Sequence, residues 1–531
     1  MAAGSPPLKH PAMATTARVI FHRFPVWAWA AIFSLAGSAA VGAFVPRHLP
    51  RIHDEFAYLF AGQTFARFEL TNPTHPFWRF FESQHILMEP SMMAKYPAGP
   101  GLMLALGFWL GNPIYGVWLA GAGFAAATTW MLRSFFAPRW ALLGGVLVST
   151  QFGLTHYWVQ SYWGGALTAA GGALVFGGAC RIWRRPRAGD ALLLGLGVVI
   201  LMHTRPLEGL LACLVPGGLV LIRWLAQDGP GHRATLTRFV LPCSAVIALG
   251  ALALAYSNFR VTGSPWRLPY LEYEHRYLGT PVFIWQSEPT TEPVFTNAAF
   301  AEFYHDFVLE ARRELPSIPA MLISRLRLLA NDYFGWVLGG LALVGALWRP
   351  GRWVRLALAS IAVIALPLAL SYYFMPHYQA PAAALGGLLA VAGLRRLFVS
   401  LPRPRRRFGL VVSLLLVAQG LSLAGDTSNQ RRLASRNIVP LRQEIEDRLI
   451  AGGGRHLVFV RLVKPYYFHD TWVFNYAPID TQPVVWAWDR GPAEDRLLMA
   501  YCRDRAAALL TVHDGDITFA EIPATPAAPA P

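Results

Sequence analysis

Charge is scarce in this chain, and so is cysteine. Only 14% of its 531 residues are Asp, Glu, Lys or Arg, well under the roughly 25% of an average soluble domain. A protein that keeps most of its surface in water is thereby excluded. The only cysteines are Cys180, Cys213, Cys243 and Cys502. Their spacing gives neither a metal motif nor a disulfide framework, and three fall in or beside apolar runs, where cysteine packs as a small hydrophobe. A repeat of fixed period is also missing, and no glycine-rich nucleotide loop is present.

Apolar sequence is abundant instead: 54% of residues are hydrophobic. Runs near the ~20 residues that cross a bilayer as helix recur about eleven times. They cover 25–45, 113–134, 139–157, 161–183, 189–204, 207–226, 238–258, 332–348, 352–372, 378–398 and 407–424. The expected fold is therefore mainly α, a polytopic transmembrane bundle of about 11 spans.

Basic residues give that bundle a direction. The N-terminal segment and the loops around 133–139, 181–190, 223–238, 349–355 and 395–407 hold 21 of the 46 Lys/Arg but only two of the 30 acids, Asp190 and Asp228. Everything else holds 25 basic and 28 acidic residues, so the whole net charge of +16 lies on one side. By the positive-inside rule that side is the cytoplasm. Runs such as Arg403, Arg405, Arg406 and Arg407 read as anchors near anionic lipid and not as a nucleic-acid surface. The sequence thus predicts a multi-pass protein of the inner (plasma) membrane, with a cytoplasmic N-terminus. Cleavage of the first apolar segment near Gly37 to Ala40 would leave the next loop outside all the same.

Three segments outside the membrane are long enough for chemistry: 46–112, 259–331, and 425 onward. The sequence predicts a transmembrane module over 1–424, a small extracytoplasmic α/β domain over 425–520 and a disordered tail over 521–531. Stretches 54–69 and 99–110 read as amphipathic helices along the interface, and 299–315 as part of an ordered cap. In the C-terminal part, PLRQEIEDRLI and AEDRLLMAY read as helices, and HLVFVRLV, QPVVWAWD and AALLTV as strands. Its aromatic stretch YYFHDTWVFNYAPIDTQPVVWAWD suits either sheet packing or recognition of a sugar acceptor.

Candidate chemistry gathers at the outer boundaries. Asp54 and Glu55 open the stretch RIHDEFAYLFAGQTFARFEL; adjacent helical positions point about 100° apart, so one can face a cleft while the other meets a second ligand. Asp54 suits a general base; the alternative, favoured for this residue taken alone, is a cap for the helix that follows. Lys95, in MAKYPAGPGL, is the one lysine of its loop and could hold a phosphate at headgroup depth or merely snorkel. Arg205 and Glu208 lie at a tight turn between spans, where charges are paired or functional. His377 and Tyr378 lie at another boundary, and Arg260 and Arg267 begin the second loop.

This combination resembles the GT-C glycosyltransferases, particularly the protein mannosyltransferase and aminoarabinose transferase branch. The resemblance rests on the acidic pair after the first span, on K-Y-P-x-G-P-G some 40 residues later, and on SYWGGALTAAGG, HTRPLEGL, VTGSPWRLPY and PHYQAP. It covers about residues 1–400. It implies a polyprenyl-phosphate sugar donor, a glycan, lipid or protein acceptor presenting a hydroxyl or amine at the outer face, and transfer with inversion. On matching positions Asp54 would be the base, Glu55 would orient it, and Lys95 would meet the phosphate, with Tyr96 among the substrate-binding residues. Arg205, Glu208, Arg260, Arg267, His377 and Tyr378 complete the candidate substrate-binding set. Some relatives use a divalent metal. No dense ligand cluster stands out here, and His53, Glu89, His275 and His305 could join one only through the fold. Two other classes fit many spans: a transporter or flippase of lipid-linked glycans, and a noncatalytic envelope assembly protein. Convergence of Asp54, Lys95 and at least one of Arg205, Arg260, Arg267 or His377 around one outward-facing cavity separates the enzyme from both.

Overall fold

A computed structural model of the chain describes residues 24–523 apart from 46, 228, 279–281, 288–293, 314, 401–408, 413, 416, 420–438 and 465–469. The N-terminal Lys9, Arg18 and Arg23, the run Arg403 to Arg407, much of the expected span 407–424 and most of the expected tail lie outside the described residues.

Helices dominate. Among the described residues four are long and apolar enough to cross a membrane: Ala166–Arg184, Pro206–Leu225, Gly231–Thr262 and Pro376–Ser400. A bent pair, Ile318–Tyr333 with Val337–Leu347, makes a fifth if counted as one span. The expectation of about eleven is met only in part, and length is one reason. Val26–Gly42, Pro138–Phe152 and Ala188–Met202 are helices of 17, 15 and 15 residues, short of the ~20 that a bilayer asks of a straight helix.

Small residues bring the bundle together. A Cβ on Gly345 would lie 2.0 Å from the Leu389 carbonyl oxygen, and one on Gly393 would lie 2.0 Å from that of Leu341. Helices Gly335–Leu347 and Ala383–Ser400 therefore touch backbone to backbone, which apolar helices achieve through small side chains.

The first long loop is structured. Helix His53–Ala66 packs on helix Ala98–Trp109, and a Cβ at Gly62 would lie 2.6 Å from Leu104 Cβ. Both helices fall where amphipathic stretches are expected. The environment of the first is different, however: 11 of its 14 residues are buried. Tyr58 and Leu59 pack with Leu104, Ile114, Trp118 and Val159. Phe56 and Phe60 pack with Phe459, Phe474, Val485 and Leu498, all from the C-terminal part. Strands β1 (Ile86–Leu87) and β2 (Met93–Ala94) pair antiparallel in the same loop.

The C-terminal part holds a four-stranded sheet built from β3 (His456–Val463), β4 (Val484–Trp488), β5 (Ala506–His513) and β6 (Asp516–Glu521), ordered β4-β3-β5-β6. The first three run parallel, as their near-continuous apolar sequences lead one to expect, and β6 closes the edge antiparallel. Helices Val439–Ala451 and Pro492–Tyr501 accompany them. The unit docks on the first loop. The Phe474 and Phe56 ring centroids are 4.9 Å apart, Thr471 Oγ1 lies 2.9 Å from His53 Nδ1, and Ser83 Oγ donates to the Val473 carbonyl at 2.9 Å.

One contact joins two of the sequence motifs directly. The Gly99 amide of KYPAGPG donates to the His203 carbonyl of HTRPLEG at 2.7 Å, and a Cβ on Gly99 would lie 2.6 Å from that oxygen. Gly99→Val is expected to push the turns apart and lower stability by about 1–3 kcal/mol, the usual cost of overpacking. The unfolding midpoint in detergent reads this, and an unchanged midpoint would show that the turns do not touch.

Candidate active site

Asp54 and Glu55 sit in the first turn of helix His53–Ala66, where negative charge complements the helix dipole. The capping alternative falls to Glu55. Ile52 is the N-cap residue and has no side-chain cap; the buried Glu55 carboxylate reaches back to accept from the Arg51 amide and takes a second bond, 3.1 Å, from the Tyr162 amide. Burial pushes its carboxyl up, against the opposing pull of these bonds. Glu55 thus fastens the SYWGG turn to the loop helix, and no hydrogen bond joins it to Asp54 among the described residues.

Asp54 turns elsewhere. Its Oδ1 accepts from the Tyr96 hydroxyl at 2.5 Å, and its Oδ2 lies 3.8 Å from His85 Nε2. The Tyr96 ring stacks on that of Tyr58, centroids 4.4 Å apart. Tyr58 is one helical turn from Asp54, on the same face. Burial pushes the Tyr58 phenol up, Arg205 pulls it down and Asp54 raises it again, so this one ring lies within electrostatic reach of both a cation and a carboxylate.

Lys95 is 4% exposed. Its ammonium pairs with Glu274 at 2.8 Å and lies 4.6, 4.7 and 5.6 Å from the ring centroids of Tyr273, Tyr270 and Tyr96, within cation–π range. Tyr270 ends the motif VTGSPWRLPY, and Glu274 follows in LEYEHRYL. The Lys95 amide donates to the His85 carbonyl at 2.9 Å, and the Tyr273 hydroxyl lies 2.9 Å from the His85 amide.

Arg205 forms the turn pair expected of it, 3.0 Å to Glu208. Its guanidinium also lies 4.5 Å from the centroid of the Tyr378 ring. His377, beside Tyr378, is buried against Trp163, ring centroids 4.5 Å apart, with the Tyr157 hydroxyl 3.3 Å from its Nδ1. Contacts therefore link residues from all five quoted motifs to one another.

Two candidates point away. Arg260 is exposed and bonds to Tyr256 of its own helix at 3.4 Å, and Arg267, 61% exposed, pairs with Glu272 at 3.0 Å. No contact ties either of them to Asp54 or Lys95 among the described residues. Conversely, sequence reasoning passed over Tyr58, His85, Tyr273 and Glu274. The i+4 spacing from Asp54 to Tyr58 was the one available signal.

Among the described residues no three His, Cys, Asp or Glu side chains gather as a metal site. Asp54 Oδ1 accepts from Tyr96, and the Glu274 carboxylate pairs with Lys95.

Solved structures similar to this chain include ArnT from Cupriavidus metallidurans, in the apo state and bound to undecaprenyl phosphate. Each is 14% identical with a TM-score of 0.46; 94% and 91% of this chain are covered, and 93% of the neighbour in both cases. The Archaeoglobus fulgidus oligosaccharyltransferase, solved with zinc and sulfate, is 12% identical with a TM-score of 0.46 over 76% of this chain. The chain spans about half the length of that protein, 53%. No family model and no curated protein matches the sequence.

The two loops and the C-terminal unit meet at Glu82. Thr296 Oγ1 lies 2.8 and 2.7 Å from its two carboxylate oxygens, and the Trp488 indole donates to its backbone carbonyl at 2.7 Å. Arg490 donates to the Thr296 carbonyl at 3.1 Å. Burial pushes the Glu82 carboxyl up to about 7, against Thr296, Arg490 and Arg79 and with the help of Glu89. A raised carboxyl favours the folded junction fully below its ordinary value of 4.5, and that contribution is lost as pH rises through about 7. The unfolding midpoint is therefore expected to fall across this window in the wild type and to stay flatter in Glu82→Gln; parallel profiles would contradict the assignment.

Proposed function

We propose that the protein is an inverting glycosyltransferase that moves a sugar from a polyprenyl-phosphate donor to a hydroxyl or amine of a glycan, lipid or protein at the outer face of the plasma membrane. The supporting observation is convergence: a carboxylate, Asp54, a buried cation, Lys95, and a half-buried one, Arg205, lie near the stacked Tyr58 and Tyr96 rings. The basic loops face the cytoplasm in this reading, which puts the first and second loops and the C-terminal unit outside.

The chemistry follows from those groups. The acceptor attacks the anomeric carbon from the face opposite the phosphate, the bond from that carbon to the phosphate oxygen breaks, and its electron pair leaves on the lipid phosphate. Asp54 Oδ2 takes the acceptor proton, while the Tyr96 hydroxyl holds Oδ1 and so fixes the carboxylate plane. Lys95 and Arg205 answer the charge that grows on the phosphate, in surroundings where a fixed cation acts more strongly than in water. Burial of Lys95 also excludes water there, which would otherwise compete as acceptor.

Membranes given radiolabelled undecaprenyl-phosphate sugars provide the test. Asp54→Asn should lower transfer by about 10²–10⁴-fold, the usual contribution of a general base, at unchanged protein abundance. Transfer at the wild-type rate in that variant would remove Asp54 from the mechanism.

A further inference from the structure

Lys95 and Glu274 are 179 residues apart in sequence and come from different loops, yet they meet in near-complete burial: their side chains are 4% and 15% exposed. We propose that Glu274 is a displaceable counter-ion, occupying the Lys95 ammonium when the enzyme is empty and exchanging with the lipid phosphate when donor binds and product leaves. The inference rests on the reading of Lys95 as a phosphate ligand and adds what controls that ligand.

The contrast with Glu272 carries the argument. Glu272, two residues earlier, is clamped by Arg267 at 3.0 Å and Arg276 at 2.7 Å, so its carboxylate has two cations to leave. Glu274 has Lys95 as its one hydrogen-bond partner among the described residues. It also opens a wider-wound turn, Glu274–Leu278, directly after the regular helix Pro269–Tyr273, and such π-type turns favour local rearrangement at functional sites. Tyr270 and Tyr273 stay beside the ammonium on the regular helix when the carboxylate swings away.

A buried ammonium without an anion is strongly disfavoured. Two anions sharing one ammonium repel each other. Exchange satisfies both constraints, since carboxylate and phosphate alternate on the same cation. The exchange also has a direction. The donor is a phosphodiester with one negative charge, whereas the polyprenyl phosphate left after transfer is a monoester carrying roughly −1.5 to −2 at neutral pH. Lys95 alone would hold product more tightly than donor, and returning Glu274 competes most usefully at that step.

The test uses undecaprenyl phosphate in detergent as the probe, titrated against full-length wild type, Glu274→Gln, Lys95→Met and the double variant. Glu274→Gln keeps the side chain's size and removes its charge. It should bind the probe about ten-fold more tightly, a change of one decade in Kd, and show deeper inhibition of transfer by added probe, a readout that simple loosening of the fold would not produce. Lys95→Met should bind weakly, and Glu274→Gln should change nothing further in that background. Equal or weaker binding by Glu274→Gln, with Lys95→Met impaired, overturns the counter-ion role and leaves the phosphate site standing. Wild-type binding by Lys95→Met overturns the phosphate site and the counter-ion together. Should Glu274→Gln fail to accumulate, Glu274→Asp, one methylene shorter, reports the same competition and should also bind more tightly.

Discussion

A buried cation has to be answered, and in this protein the answer to Lys95 organises everything around it. Its ammonium cannot sit among three tyrosine rings unless an anion accompanies it, and the anion comes from the second loop. That requirement draws the segment Pro269–Leu278 onto the first loop, sets the Tyr273 hydroxyl against the His85 amide and brings Tyr96 to the Asp54 carboxylate. Electrostatics, packing and candidate chemistry therefore share one set of residues.

The helix His53–Ala66 is the second half of that arrangement. Its opposite faces enter two separate apolar clusters, one from the bundle side and one from the C-terminal sheet. Asp54 is held rigidly because neither face is free to move, and rigid support is what a proton acceptor needs to keep its geometry. Docking of the C-terminal unit through Phe474, Thr471 and Trp488 makes that unit part of the wall behind the carboxylate.

How much of this could be read from sequence depends on the distance over which each feature is determined. The parallel strands His456–Val463 and Val484–Trp488 and the helices Val439–Ala451 and Pro492–Tyr501 follow from local period and composition. β6 was not foreseen, because Asp516–Glu521 is mostly exposed and lacks an apolar run. The first loop helix read as amphipathic and lying along the interface, and the C-terminal residues that cover its Phe56 and Phe60 lie some 400 residues further on. Among the site candidates, Lys95, Tyr96, Arg205 and Tyr378 drew attention by type and boundary position. Glu274 did not, because nothing in LEYEHRYL marks which of its two glutamates meets Lys95. Arg260 and Arg267 share the charge of Arg205 but not its burial, and burial is set by tertiary contacts that spacing does not encode. The count of about eleven spans is met only in part for a related reason: several helices that read as spans are short for crossing alone.

The central claim is that one site holds both the proton acceptor and the phosphate anchor. An experimental structure of the full-length protein in a lipid nanodisc with undecaprenyl phosphate tests it most directly. The account predicts phosphate density within hydrogen-bonding distance, about 3 Å, of the Lys95 ammonium, on the same side of the Tyr96 ring as the Asp54 carboxylate and facing away from the arginine-rich loops. Phosphate density elsewhere, with Lys95 still paired to Glu274, would contradict it.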